Sequence, residues 1–198
     1  MKKFSKRDGR TAWTWAVGAA LLIYTTTVFA QTQPSELDSF ELMKRIVDWS
    51  GKAEKKTEIG SYLQEIMDRA KAGQPSAMFH WGWYNFGICS FGKKQGVDLS
   101  SAQMCVQAFD HLKAVAKNPK ISISYMAPAA MSMLGEMYRD GIGAEPSRYL
   151  AAEWFVKSAK QRSVNGDREG AIRAMEDALN VVPDYPAAIE FRTLILED

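Results

Sequence analysis

Four side chains hold most of the reactive potential of this 198-residue chain: His80, His111, Cys89 and Cys105. A serine or thiol nucleophile would need one of the two imidazoles as its base, and neither histidine lies in a recognised nucleophile motif. Ser90, beside Cys89, reads as a loop serine. A closed zinc site wants four ligands, and the histidines form no cluster with the cysteines. Adjacent carboxylates such as Glu176 and Asp177 point in different directions on a helix and so do not share a site. Gly141 and Gly143 have neither a preceding strand nor the Gly-Lys-Ser/Thr of a phosphate loop. No catalytic residue, cofactor or metal ligand is assigned, and the chain is expected not to be an enzyme.

The cysteines depend on the compartment, and the N-terminus speaks to that. Lys2, Lys3, Lys6, Arg7 and Arg10 precede an uncharged, mostly apolar run over 11–30 that ends Val28-Phe29-Ala30. Small residues at Val28 and Ala30 suit signal peptidase, so residues 1–30 read as a secretory signal with the mature chain starting near Gln31. The alternative is an uncleaved anchor, because the run approaches the ~20 residues that span a bilayer. On either reading the folded part faces an oxidising, periplasm-like or extracellular space, where Cys89 and Cys105 are most simply a disulfide closing a loop of about 15 residues. Two unpaired buried thiols are the other option. The leader holds five of the 25 basic residues and one of the 23 acidic ones, which leaves 20 basic against 22 acidic, a net charge of −2. A nearly neutral chain without a Lys/Arg stripe has no electrostatic footprint for nucleic acid.

The elements that must position these residues are helical. After a short tether, where Pro34-Ser35 is placed to start a helix, Leu37, Phe40, Met43, Ile46 and Val47 recur at helical spacing. Residues 52–58 read as a solvated connection, and Ile59, Leu63, Ile66, Met67 and Ala70 mark a second helix closed by Gly73 and Pro75. A third begins at Pro75, gives way to a long turn over 90–98, and is answered by a helix from Ser100 to about Lys117. Two more helices over about 124–140 and 147–162 flank a glycine turn, with Ser147 placed to cap the second. Downstream, Ala171 to Ala188 continues as a helix, a proline break and a further helix, and residues 31–198 contain no confident strand.

The stretch over 130–159 is the most ordered of these. It carries Ala130, Leu134-Gly135, Tyr138, Gly141, Gly143, Ala151, Trp154-Phe155 and Lys157-Ser158-Ala159. At these separations it resembles the Sel-one-like repeat, a cousin of the tetratricopeptide repeat. A worn copy precedes it, with Ala77, Trp81-Gly82 and Asn85 in the same spacing, and the end of the chain is similar to a tetratricopeptide repeat. The resemblance implies an all-α fold, a short right-handed solenoid of αα-hairpins over 31–198, with the clearest repeat at 126–162, a divergent one at 75–118 and a tetratricopeptide-like end at 167–198. Cysteine-rich members of that family carry bridges across a hairpin, which favours pairing of Cys89 with Cys105.

The same resemblance implies a function. Such repeats bind other proteins, and their first helices line the concave side. On the third helix His80, Trp83, Tyr84 and Gly87 share one face, and Met133, Glu136, Met137 and Asp140 are the matching positions of the next repeat. These eight are the candidate partner-binding residues, although aromatics and methionines at helical spacing equally read as core. Arg139 and Arg148 are placed to reach an acidic partner. The implied role is an exported, non-catalytic adaptor or inhibitor, whether an immunity protein against a secreted toxin or an envelope assembly factor. A cell-wall or β-lactam-acting hydrolase and a membrane-anchored structural subunit are the alternatives. The partner is another protein, and membrane enters only through an uncleaved N-terminal segment.

Overall fold

The computed structural model describes residues 33–98, 101–121 and 125–197, so the expected signal over 1–30 lies outside the described residues. The chain divides after Leu37 into two compact units. Of the first, the described part is a single 3-10 turn, Pro34–Glu36. The described residues of the second hold eight α-helices: α1 Ser39–Trp49, α2 Lys56–Lys71, α3 Pro75–Lys94, α4 Gln103–Ala116, α5 Met126–Asp140, α6 Arg148–Val164, α7 Arg168–Val181 and α8 Pro186–Glu197. Among the described residues there is no strand, and no helix is long and apolar enough to cross a membrane.

Local chemistry sets the boundaries, and in three places it differs from the sequence reading. Pro34-Ser35 starts the 3-10 turn, while α1 is opened by Asp38, whose carboxylate accepts the Glu41 N–H at 2.8 Å. Residues 52–58 are not an open connection. Ala53–Lys55 forms a 3-10 turn and α2 begins directly after it. The long turn expected over 90–98 is mostly helix, because α3 continues to Lys94 and closes only where Gly96 adopts φ 82° and the Val97 N–H reaches the Gly92 carbonyl. Lys93 and Lys94 in that last turn complement the negative end of the helix. Elsewhere Ser147 Oγ accepts the Leu150 N–H and Asp167 accepts the Gly170 N–H, opening α6 and α7. Val182, held extended by the following Pro183, ends α7.

Each helix packs on the next in sequence, and α1 on α3, α3 on α5 and α6 on α8 make further contacts. The main core lies among α3, α4, α5 and α6, around Phe79, Phe109, Leu112, Leu134, Met137, Ile142 and Trp154. A second core joins α6 to α7 and α8 through Ala152, Phe155, Ala178 and Tyr185. Two glycines set the closeness of the first-to-second helix contacts. A Cβ on Gly82 would fall 2.9 Å from Leu112 Cγ, and one on Gly135 would fall 2.7 Å from the Phe155 ring. The buried Ser158 hydroxyl ties α6 to α5, donating to the Pro128 carbonyl and sharing a hydrogen bond with Ser132 Oγ, both at 2.8 Å. Asn85, standing where the clear repeat has Tyr138, is 2 % exposed and leaves its Nδ2 without a partner.

Cys89 and Cys105 form a disulfide, with Cα atoms 6.0 Å apart and both residues fully buried. Cys89 sits inside α3, so the bridge clamps the helix pair α3–α4 in its core and does not staple a loop. Gly143, in the turn between α5 and α6 with φ 64°, brings the next pair against this clamp: a Cβ there would lie 2.2 Å from the Cys105 carbonyl oxygen.

Two outcomes follow. The bridge closes a 16-residue separation, and the double variant Cys89→Ser/Cys105→Ser is expected to lose about 3 kcal/mol in urea titration relative to the oxidised chain. Gly135→Ala is expected to cost roughly 1–3 kcal/mol, because Phe155 is too enclosed to withdraw. A Gly135→Ala chain unfolding at the wild-type midpoint would contradict the close helix contact.

Candidate functional site

Apolar side chains, some shared with the core and some outside it, converge where α1, α3 and α5 meet. Phe40, Met43 and Val47 come from α1, Phe79, His80 and Trp83 from α3, and Ala129 and Met133 from α5, with Tyr125 at its start. They enclose a pocket of about 440 Å³ with Lys44 and Asp48 also in its lining. The size falls within the roughly 300–1,000 Å³ typical of ligand sites. Phe40 and Tyr125 are each 59 % exposed, Val47 51 % and Trp83 39 %, so large apolar groups face solvent together here. Ring contacts fix the wall, with Phe79 edge-on to Tyr125 at 5.9 Å and Phe79 and Phe40 beside the His80 ring at 5.5 and 6.2 Å.

His80 is the polar side chain inside this wall. It is 5 % exposed, and its Nδ1 has no hydrogen-bond partner. Burial pushes the imidazole below the ordinary histidine value, while the Asp38 carboxylate and the Ser76 carbonyl oppose that shift more weakly. The ring is therefore neutral at physiological pH. His111 is shifted down for the same reason, partly offset by Asp110, and lies away from the pocket on α4.

Further along α5 the chemistry changes from apolar to charged. Arg139 donates to both oxygens of Asp140, Nε to Oδ1 and Nη2 to Oδ2, each at 2.8 Å, and lies 3.9 Å from Glu136. Burial pushes the Glu136 carboxyl up; Arg139 and Lys94 oppose this, while Asp140 and Asp177 add to it. Asp177, on α7, is also raised by burial, against the pull of Arg139. Glu136, Arg139 and Asp140 thus form a contact cluster on α5, a charged strip within electrostatic reach of Lys94 on α3 and Asp177 on α7.

The eight residues selected from the sequence divide four ways. His80, Trp83 and Met133 line the apolar pocket, and Glu136 and Asp140 belong to the charged strip. Tyr84 and Gly87 lie, with Trp83, Phe86, Ile88 and Phe91, along a shallower depression of about 550 Å³ on α3. Met137 is fully buried in the main core and lines no surface. Ile88 in this depression is 41 % exposed. The two arginines are engaged within the chain: Arg148 donates through Nε and Nη2 to the Val181 carbonyl at the end of α7, and Arg139 holds Asp140. Phe40, Val47, Tyr125 and Ala129 escaped the sequence reading. For α1 a signal existed, since five apolar residues are more than one packing stripe needs; the core takes Leu42, Met43 and Ile46 and leaves Phe40 and Val47 outside.

Among the described residues no three His, Cys, Asp or Glu side chains gather as metal ligands. Comparison with known proteins finds no matching family model, no matching curated protein and no matching solved structure.

The neutral histidine makes stability pH-dependent with a definite sign. In the unfolded chain His80 takes up its proton near pH 6.5, and in the fold only at lower pH, so between the two values the unfolded state holds more protons. Stability is full above about pH 6.5 and is lost as pH falls toward the folded value. Glu136 and Asp177, raised in the fold, act oppositely and regain stability at still lower pH. Thermal melts are expected to show a falling midpoint from pH 7.5 to 5.5 that His80→Gln flattens in part, His111 supplying the remainder. An equally steep fall in His80→Gln would refute a buried neutral imidazole.

Proposed function

We propose that this chain is an exported, non-catalytic protein-binding module of the Sel-one-like and tetratricopeptide type, an adaptor or inhibitor that receives another protein in a groove lined by the first helices of stacked αα-hairpins. The pairs are α1–α2, α3–α4, α5–α6 and α7–α8. Contacts between sequential helices, and between α1 and α3, α3 and α5, and α6 and α8, support the stack.

The single observation that carries the binding reading is the pocket at α1, α3 and α5, all first helices, with exposed Phe40, Val47, Trp83 and Tyr125 around a buried histidine. Apolar surface gathered in this way is characteristic of interaction sites. The lining offers one imidazole and no serine or thiol, which favours binding over a nucleophilic reaction. The buried disulfide is consistent with an oxidising compartment and supports export to the periplasm or beyond.

Site-specific crosslinking tests this. A benzophenone side chain at Trp83 is expected to capture a protein from the exported fraction of the source cell, and one at Lys160, on the second helix α6, is not. The double variant Trp83→Ala/Glu136→Ala should reduce retention of the captured protein at least tenfold with unchanged helical circular dichroism. Equal yields from both positions, or none from Trp83, would reject the groove.

A further inference from the structure

Resting on that binding reading, we infer that the groove recognises a protein segment carrying one bulky uncharged apolar side chain, seated in the α1–α3–α5 pocket, and a lysine or arginine one to three residues further along, seated against Glu136 and Asp177.

The anchor follows from the pocket's walls and size. About 440 Å³ lies near the small end of ligand sites, which suits one or two large side chains and not a folded element. Phe40, Phe79, Trp83 and Met133 supply apolar contact, and Met133 can adapt its shape to the guest. The lining surface is almost wholly apolar even with Lys44 and Asp48 in it, so a charged guest side chain would lose most of its water there, whereas an aromatic or leucine side chain gains apolar contact. Lys44 and Asp48 carry opposite charges, so the lining adds no net charge preference of its own at this end.

The basic residue follows from the strip beyond it. Three carboxylates, Glu136, Asp140 and Asp177, face two cations, Arg139 and Lys94. Arg139 spends its fork on Asp140 and leaves Glu136 a long 3.9 Å contact. Glu136 keeps 40 % of its side chain accessible and Asp177 is exposed, so an incoming base can reach both. An incoming guanidinium or ammonium would restore the balance and form charge-assisted hydrogen bonds. The spacing is set by α5: Glu136 lies ~4.5 Å and Asp140 ~10.5 Å along the helix from Met133. An extended segment advances about 3.3 Å per residue, so these spans correspond to one to three residues between anchor and base.

Fluorescein-labelled heptapeptides on a Gly/Ser background test both features by anisotropy with the oxidised full chain at pH 7.5. Trp or Leu is fixed as anchor, Arg is moved from one to five positions after it, and control sets replace Arg by Glu or the anchor by Ala. Arg one to three positions along is expected to bind at least tenfold tighter than either control, and Arg four or five positions along is not. Ala129→Phe, which fills the pocket, should weaken the anchored peptides tenfold at unchanged circular dichroism. Glu136→Gln/Asp177→Asn should bring Arg and Glu peptides within twofold while keeping the anchor preference. Glu peptides binding as well as Arg peptides, or a folded Ala129→Phe chain binding normally, would overturn the inference. If no peptide binds while Trp83 still crosslinks a protein, this inference falls and the binding module stands; if crosslinking also fails, both fall.

Discussion

Phe155 reaches the core because Gly135, opposite it, has no side chain. That one close approach of α6 to α5 brings the Ser158 hydroxyl to the Pro128 carbonyl and leaves Phe155 1 % exposed between two cores. Gly82 plays the same part against Leu112 and Ala108 in the preceding pair. At both places any larger residue would separate helices whose small separation is what excludes water. The disulfide adds a covalent constraint to the first of these pairs, and Gly143 presses the second pair against Cys105. Three glycine contacts and one bridge therefore constrain α3 and α5, and with them the pocket they help to line.

The sequence reveals this framework because its causes are local or periodic. Ser147 and Asp167 cap helices as short-range chemistry requires, and Ala77, Ala130, Ala151 and Ala159 are buried at helical spacing. Where the reading fails, a non-local term wins. Residues 90–94 look like a turn by composition, yet Cys89, bridged inside the core, and the apolar Phe86 hold the helix in register to Lys94. Met137 looks equivalent to Tyr84, but the main core needs its volume beside Leu134 and Phe109, while Tyr84 stacks on Trp81 at the surface.

The site is less legible than the fold for a different reason. His80, Trp83 and Met133 follow from helix geometry once α3 and α5 are aligned, and that alignment is written in the matching alanines and glycines. The contribution of α1 is not. Phe40 and Val47 lie about forty residues upstream of His80, and no spacing rule connects a helix to the next-but-one helix on which it packs. Only the contact of α1 with α3 turns their apolar excess into a wall.

The difference between the two ends of the proposed groove has its source in the same register. His80 matches Met133, Trp83 matches Glu136, Tyr84 matches Met137 and Gly87 matches Asp140. Between these aligned positions of α3 and α5, Trp83 gives way to Glu136 and Gly87 to Asp140. In the α3 layer the shared face is apolar and is completed by α1; in the α5 layer it turns charged and is completed by Arg139 and by Asp177 of α7. A stack of identical repeats would present one chemistry along its length and bind without direction. The difference between α3 and α5 gives the proposed groove two unlike ends, so a bound segment would have a preferred orientation set by which of its side chains is greasy and which is basic.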